Sequence, residues 1–135
     1  MNIIRFLHRK NESPFLYEYK TARQALQFMR NHGLSEVPVI TQDGIYLGMV
    51  REGDFLWHLI DCGGFDAIRD HTLDKILRNG SAPALKITAT DEELKRAALR
   101  SEYVSIVDDR GIFIGLVYRE DIVQYFASKS QLQLV

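Results

Sequence analysis

Two aspartates at equivalent places in a repeated motif are the first candidates for chemistry in this sequence. Each follows a glycine by six residues, in Gly48-Met-Val-Arg-Glu-Gly-Asp54 and in Gly115-Leu-Val-Tyr-Arg-Glu-Asp121. An acidic side chain that opens a helix interacts favourably with free backbone N–H groups and the helix dipole, so capping explains both aspartates. The same strand-to-helix turn offers backbone donors to an anionic ligand, and Arg51 or Arg119 can add positive charge. Capping and ligand binding are both open at this point.

Other reactive side chains give weaker signals. His58 and Cys62 lie four residues apart on one predicted helix face, with His71 further along, and such residues can bind a metal. Because no second closely spaced ligand pair accompanies them, we predict no metal site. The chain contains no Gly-x-Ser-x-Gly, Gly-x-x-x-x-Gly-Lys-Ser/Thr or His-Glu-x-x-His motif, so neither an enzyme nor a cofactor is expected.

The sequence patterns that predict the helices and strands around these residues occur twice in the chain. Gly44, Gly48 and Asp54 recur 67 positions later, and Thr21 recurs 69 positions later as Thr90. Thr21 and Thr90 each begin a Thr-x-x-Gln/Glu capping box, which predicts a helix start. Apolar runs flanking glycine turns, at residues 37–40 and 45–50 and at 106–107 and 112–117, predict two β-hairpins.

A second helix is predicted near each aspartate, and short strands are predicted at residues 15–19 and 84–87. One-turn lead-in helices are predicted at residues 2–7 and 72–77. Pro38 is expected at a strand start, where its missing N–H harms no ladder. The predicted fold is therefore α+β, with two β-α-β-β-α repeats packed around one core with pseudo-twofold symmetry. We expect a first repeat at 2–62, a connector at 63–71, a second repeat at 72–127 and a C-terminal tail at 128–135.

Composition excludes several classes of function. Seventeen Lys and Arg balance eighteen Asp and Glu, for a net charge of −1, so no electrostatic footprint for nucleic acid is present. The apolar runs are too short to cross a bilayer. One cysteine in 135 residues excludes an intramolecular disulfide and fits a reducing compartment. These features predict a cytoplasmic protein without nucleic-acid or membrane partners.

The ordered set of capped helix, apolar strand, glycine turn and Gly-to-Asp motif, found twice, resembles a pair of CBS domains, the tandem often called a Bateman module. The resemblance covers residues 2–127. It implies a regulatory sensor that binds an adenosine-containing ligand, such as AMP, ADP, ATP, cyclic di-AMP or S-adenosylmethionine, in clefts between the repeats. It also implies a disc-shaped homodimer and a separate protein effector.

The family pattern Gly-x-x-Ser/Thr-x-x-Asp assigns roles residue by residue. Asp54 and Asp121 fall on the position that binds ribose hydroxyls. The phosphate-contacting Ser/Thr is replaced by Arg51 and Tyr118, and with Arg119 these are the phosphate candidates. Candidates for the adenine wall, equally explained as strands entering the core, are Phe15, Leu16, Val37, Pro38, Ala84 and Leu85.

Simpler roles stand beside these assignments. Arg51 and Arg119 adjoin Glu52 and Glu120, so weak surface ion pairs are a possible role for both. Aromatic residues such as Trp57 and Phe126 are candidates for self-association. Loss of the Ser/Thr in both copies favours an alternative function, a ligand-free dimerisation or protein-interaction module with degenerate clefts, whereas the two retained aspartates favour ligand binding.

Overall fold

The computed structural model describes residues 1–78 and 82–129. Its backbone divides into two compact units, which we call the central unit (Pro14–Pro83) and the terminal unit (Met1–Ser13 with Ala84–Val135). The elements are, in chain order, α1 (Ile3–Phe6), β1 (His8–Arg9), a 3-10 turn (Lys10–Glu12), β2 (Leu16–Tyr17), α2 (Ala22–His32), β3 (Glu36–Ile40), β4 (Tyr46–Arg51), α3 (Glu52–Cys62), α4 (Phe65–Ile68), α5 (Leu73–Ile76), β5 (Leu85–Lys86), α6 (Asp91–Arg100), β6 (Tyr103–Val107), β7 (Phe113–Tyr118) and α7 (Arg119–Lys129).

The predicted β-α-β-β-α order is confirmed in both units. The central unit contains β2-α2-β3-β4-α3, and the terminal unit contains β5-α6-β6-β7-α7. Both capping boxes form, because Thr21 and Thr90 each accept a hydrogen bond from the third helical N–H, while the Gln24 or Glu93 side chain accepts one from the threonine N–H. Gly33 then ends α2 in the left-handed conformation, with φ of 64°.

Each unit has its own small sheet. In the central unit the strand order is β2-β3-β4, with β2 parallel and β4 antiparallel to β3. Pro38 lies in the middle of β3 opposite Met49, so its expected place at a strand start was wrong. The central position is tolerated because β2 pairs only with Val39 and Ile40, so its ladder does not reach the proline.

The terminal unit has a four-stranded sheet in the order β1-β7-β6-β5, one strand more than the repeat predicts. The additional strand β1 pairs antiparallel with β7, with His8 opposite Leu116 and Arg9 opposite Gly115. The N-terminal segment therefore folds with the second copy of the repeat. The later lead-in helix α5 belongs to the central unit, where the backbone at Thr72 bridges Thr21.

The predicted lead-in helices are confirmed as α1 and α5, but the segment between the copies is more structured than expected. It contains α4, whose Ile68 is fully buried in the core of the central unit. The last helix, α7, extends to Lys129, two residues into the expected tail, and residues 130–135 lie outside the described residues. Burial of an apolar side chain is sufficient reason for a connecting segment to become ordered.

Each unit has a separate hydrophobic cluster built from its helices and its hairpin. The central cluster is formed by Leu16, Ala22, Ala25, Met29, Val37, Val39, Val50, Phe55, Ile68, Leu73 and Ile76. The terminal cluster is formed by Ile3, Leu94, Ala98, Val104, Ile106, Val117 and Ile122. Because α3 and α7 each bury a residue in their cluster, the strand-to-helix turns that carry the aspartates are fixed in place.

Candidate functional site

Asp54 is the third residue of α3 and largely buried, with 11% of its side chain exposed. Its Oδ2 accepts a hydrogen bond of 2.8 Å from the backbone N–H of Arg51, which is the capping interaction expected of an acidic residue in the first helical turn. Its Oδ1 lies 3.6 Å from Nε of Arg78, whose side chain is more than half exposed. The turn therefore holds one carboxylate oxygen rigidly and places a solvent-accessible cation beside the other.

The Arg51 side chain has a different partner from the neighbouring glutamate that the sequence suggested. Its Nε donates to Oε2 of Glu36 at 2.9 Å, across the β3–β4 pair. Glu36 is buried, with 7% of its side chain exposed, whereas Arg51 is 37% exposed. A buried carboxylate is stable only when it is paired with a hydrogen-bonding cation, and Arg51 supplies that cation to Glu36. Just over one-third of the Arg51 side chain remains exposed.

The terminal unit replaces this charge pair with aromatic rings. Tyr103 and Tyr118 are the cross-strand pair equivalent to Glu36 and Arg51, and their ring centroids are 5.1 Å apart at an interplanar angle of 67°. Tyr118 also stacks on His8 of β1, with centroids 3.9 Å apart and planes 7° from parallel. The position that contacts phosphate in the family pattern is thus held in an aromatic stack.

Asp121, the counterpart of Asp54, also has a basic side chain beside it. Its Oδ2 lies 3.6 Å from Nε2 of His8, and both side chains are about one-third exposed. His8 therefore contacts both Tyr118 and Asp121. This grouping exists because β1 pairs with β7, which ends at Tyr118.

Arg119 binds the C-terminal end of α6. Its Nε donates to the carbonyl oxygens of Ala98 at 2.7 Å and of Ser101 at 3.2 Å, at the C-terminal end of α6. A cation at this end satisfies carbonyls that have no partner within the helix. The structure thus gives Arg119 a helix-anchoring role and does not place its Nε beside Asp121.

The candidates for an adenine wall divide between the units. Phe15, Leu16, Val37 and Pro38 lie in the central unit with Asp54, and Ala84 and Leu85 lie in the terminal unit with Asp121. Leu16 and Val37 belong to the central hydrophobic cluster, so only their backbone groups remain to recognise a ligand. Phe15, Ala84 and Leu85 are half-buried and keep accessible side-chain surface.

Arg78 and His8 are the site neighbours that sequence reasoning did not identify. Both lie far along the chain from the aspartate that they approach. Their one sequence signal is a basic side chain directly after a lead-in helix: His8 follows Leu7 and Arg78 follows Leu77. The similar roles of His8 and Arg78 can be recognised only from the structure, in which α1 belongs to the terminal unit and α5 to the central unit.

The sequence profile of the CBS domain matches residues 9–61, the first copy of the repeat. No curated protein matches the sequence. Solved structures match over nearly the whole chain. A Listeria monocytogenes CbpB protein in complex with c-di-AMP is 15% identical, with a TM-score of 0.83 over 98% of this chain and 99% of that one.

Two further structures extend the comparison. A Thermotoga maritima CBS domain pair/ACT domain protein is 18% identical, with a TM-score of 0.77 over 96% of this chain and 99% of that chain. CBSX2 in complex with AMP is 16% identical, with a TM-score of 0.74 over 94% and 96% of the two chains. Residues 9–61 therefore match the CBS domain, and the α+β fold is that of solved CBS-domain pairs, as the resemblance predicted. Within residues 1–78 and 82–129, every helix is too short or too polar to cross a bilayer.

Proposed function

We propose that the protein is a regulatory sensor that binds an adenosine-containing ligand at the strand-to-helix turns carrying Asp54 and Asp121. The observation that carries the proposal is the shared placement of the two aspartates, each three residues into the helix that follows the last strand of its hairpin. In both units a basic side chain from a distant segment lies 3.6 Å from that carboxylate. A carboxylate beside a cation can accept hydrogen bonds from ribose hydroxyls while the cation attracts phosphate.

The turn in the central unit is the better phosphate site. Arg78 is more than half exposed beside Asp54, and at the same turn the Arg51 side chain, paired with Glu36, is just over one-third exposed. In the terminal unit, Tyr118 is stacked on His8, which leaves His8 itself as the nearest cation when it is protonated. The two turns should therefore differ in affinity, with the stronger binding at Asp54.

Adenine-type ligands are the favoured class because related folds carry them. The CbpB structure contains c-di-AMP and the CBSX2 structure contains AMP. We infer a non-enzymatic role, because the groups at both turns are hydrogen-bonding and ion-pairing residues without a nucleophile and its base. We propose that the sensor acts on a second protein in the cytoplasm. The ligand would shift the conformational equilibrium of the sensor by binding one conformation more tightly than the other.

The test is a thermal-shift and calorimetry panel of AMP, ADP, ATP, c-di-AMP, S-adenosylmethionine and GTP on the purified protein. A ligand at about one hundred times its dissociation constant stabilises the folded state by about 2.7 kcal/mol, which raises Tm by roughly 5–10 °C for a chain of this size. We expect one adenosine ligand to produce this rise and GTP to produce none.

Asp54→Asn separates ligand binding from helix capping. The asparagine oxygen can still accept the hydrogen bond from the Arg51 N–H, so Tm without ligand should change little while the ligand-induced rise is reduced. Asp121→Asn should have the smaller effect on ligand binding. Asp109→Asn is the matched control, because this aspartate is almost fully exposed and pairs only loosely with Lys86, at 3.7 Å. If no adenosine ligand raises Tm, or if Asp54→Asn leaves the rise intact, the proposal is wrong.

A ligand-free interaction module is the second candidate, and the surface of α3 favours it. Leu56, Trp57 and Ile60 are each about half exposed on this helix, an unusual amount of apolar surface for one helix. On α7, Val123 is similarly exposed, whereas Phe126 packs against the terminal cluster and under the Lys95 ammonium group. We propose that the exposed α3 face self-associates in a homodimer. Light scattering that gives the mass of one chain would remove the support for this face as an interface.

A further inference from the structure

His58, Cys62 and His71 converge at the end of α3, away from the turn at Asp54. Nε2 of His58 lies 2.8 Å from Nδ1 of His71, and Sγ of Cys62 lies 3.8 Å from Nε2 of His58. One ligating atom from each side chain lies within 4.8 Å of the others, and within residues 1–78 and 82–129 no other group of three or more His, Cys, Asp or Glu side chains does so. The sequence argued against a metal because it lacked a second closely spaced pair, but the fold supplies the third group from a later segment.

The backbone holds these three groups in place without help from a metal. His58 and Cys62 are one turn apart in α3, which ends when Gly63 takes the left-handed conformation at φ of 95°. The helix α4 then returns the chain toward α3. The N–H of His71 donates to the carbonyl of Ile68, and its carbonyl accepts from the N–H of Ala22 at the start of α2, so both of its backbone groups are fixed.

Two of the three spacings are close to those of a tetrahedral metal site, and the third pair of ligating atoms lies within 4.8 Å. With Zn–N near 2.0–2.1 Å and Zn–S near 2.3 Å, tetrahedral ligands lie roughly 3.3–3.6 Å apart. The distance from sulfur to the His58 nitrogen is within a few tenths of an ångström of this range. The two imidazole nitrogens, now in hydrogen-bonding contact, need to separate by about half an ångström, which small rotations of half-exposed rings provide.

We propose that His58, Cys62 and His71 bind a zinc-class divalent cation through two imidazole nitrogens and one thiolate. Mixed nitrogen and sulfur ligands favour Zn²⁺ over Mg²⁺ or Ca²⁺, which prefer oxygen. Binding moves the proton held between the two rings to the other nitrogen of the ring that carried it, so that each ring stays neutral, and releases the proton of the Cys62 thiol to solvent. Because Cys62 is exposed, the fourth coordination position is open to water.

Cobalt(II) is the probe, because a thiolate bound to Co²⁺ gives a charge-transfer absorption band that imidazole alone does not. We expect reduced, metal-free protein to gain this band with an end point at one Co²⁺ per chain, and added Zn²⁺ to abolish it. Zn²⁺ should also raise Tm by several degrees, as any ligand specific for the folded state does. Neither readout depends on the proposed nucleotide site.

Cys62→Ser should remove the charge-transfer band and weaken Zn²⁺ binding by more than the 10–100-fold typical of losing an outer-shell partner. The cysteine is exposed at a helix end, so its replacement leaves the fold intact, and far-ultraviolet circular dichroism checks this. His58→Gln should weaken binding similarly, whereas His32→Gln, at an exposed histidine of α2, should have no effect. Absence of the band in the wild-type protein, or equal Zn²⁺ affinity in wild type and Cys62→Ser, would overturn the proposal.

Discussion

Gly115→Ala is the substitution with the most specific expected effect on the fold. A Cβ atom at this position would lie 2.1 Å from the carbonyl oxygen of His8, 3.0 Å from its carbonyl carbon and 3.1 Å from Cα of Arg9. These are backbone atoms of β1, so no side-chain rotation can relieve the collision. The first distance is about 1.3 Å shorter than an ordinary contact, so β1 must move away from β7.

The magnitude follows from two contributions. A φ of +153° at Gly115 is strained for any residue with a side chain, which costs about 1–3 kcal/mol. Overpacking against an adjacent segment adds about 1–3 kcal/mol, so the free energy of unfolding should fall by about 2–6 kcal/mol. Gly111→Ala is the matched control, because Gly111 also has positive φ, +83°, but open space where its Cβ would lie. Gly111→Ala should therefore lose only the stability that backbone strain costs.

Two assays measure the effect. Urea unfolding followed by circular dichroism gives the free-energy difference between the two alanine variants. Limited trypsin digestion reports whether β1 has been released, since cleavage after Arg5, Arg9 or Lys10 should become faster in Gly115→Ala only. If the two variants unfold within about 0.5 kcal/mol of each other and the N-terminal segment resists trypsin equally, β1 does not lie across Gly115 and the grouping of His8 with Asp121 fails with it.

Two further predictions concern charged groups. Hydrogen bonds from the Thr90 backbone and hydroxyl lower the pKa of Glu93 below its ordinary value of 4.5. The ionised Glu93 therefore contributes fully to folding stability above pH 4.5, and this contribution is lost as the pH falls through the lowered pKa of the folded state. Glu93→Gln should therefore lose less stability than wild type between about pH 5 and pH 3 in urea titrations, and identical pH profiles would contradict the assignment. Arg51→Met should reduce stability by about 1–3 kcal/mol because it leaves the Glu36 carboxylate buried without its charged partner. Arg23→Met, which removes only an exposed pair, should cost less than about 0.5 kcal/mol in the same unfolding assay, and equal losses would refute the burial argument.

Several elements could be predicted from the sequence because their causes are local. The capping boxes at Thr21 and Thr90 depend on residues three apart, and Gly33 ends its helix through its own backbone freedom. The hairpins follow from apolar runs on either side of a short turn. Repetition of this pattern at nearly constant spacing then predicted the β-α-β-β-α order of both units, and the structure confirms it.

Side-chain partners were harder to predict, because a partner chosen from sequence neighbours ignores the path of the chain. Arg51 pairs with Glu36 across the sheet, and Arg119 binds carbonyls at the end of α6. In both cases a polar group on a distant part of the chain, which the local sequence pattern does not reveal, determines where the guanidinium lies. The predicted position of Pro38 was wrong for a related reason. A proline is tolerated in the middle of β3 because the neighbouring strand β2 is too short to pair with it.

The repeat, its secondary structure and the two aspartates at equivalent helix starts could be predicted, because each depends on residues within a few turns of one another. The groups that surround those aspartates could not, because they come from distant parts of the chain. Pairing of β1 with β7 brings His8 to Asp121, and folding of the segment around α5 into the central unit brings Arg78 to Asp54. In the same way, the segment that follows α3 folds back and brings His71 within 2.8 Å of His58 on that helix. Such contacts join segments separated by many residues, and their positions are set by the packing of the cores between them.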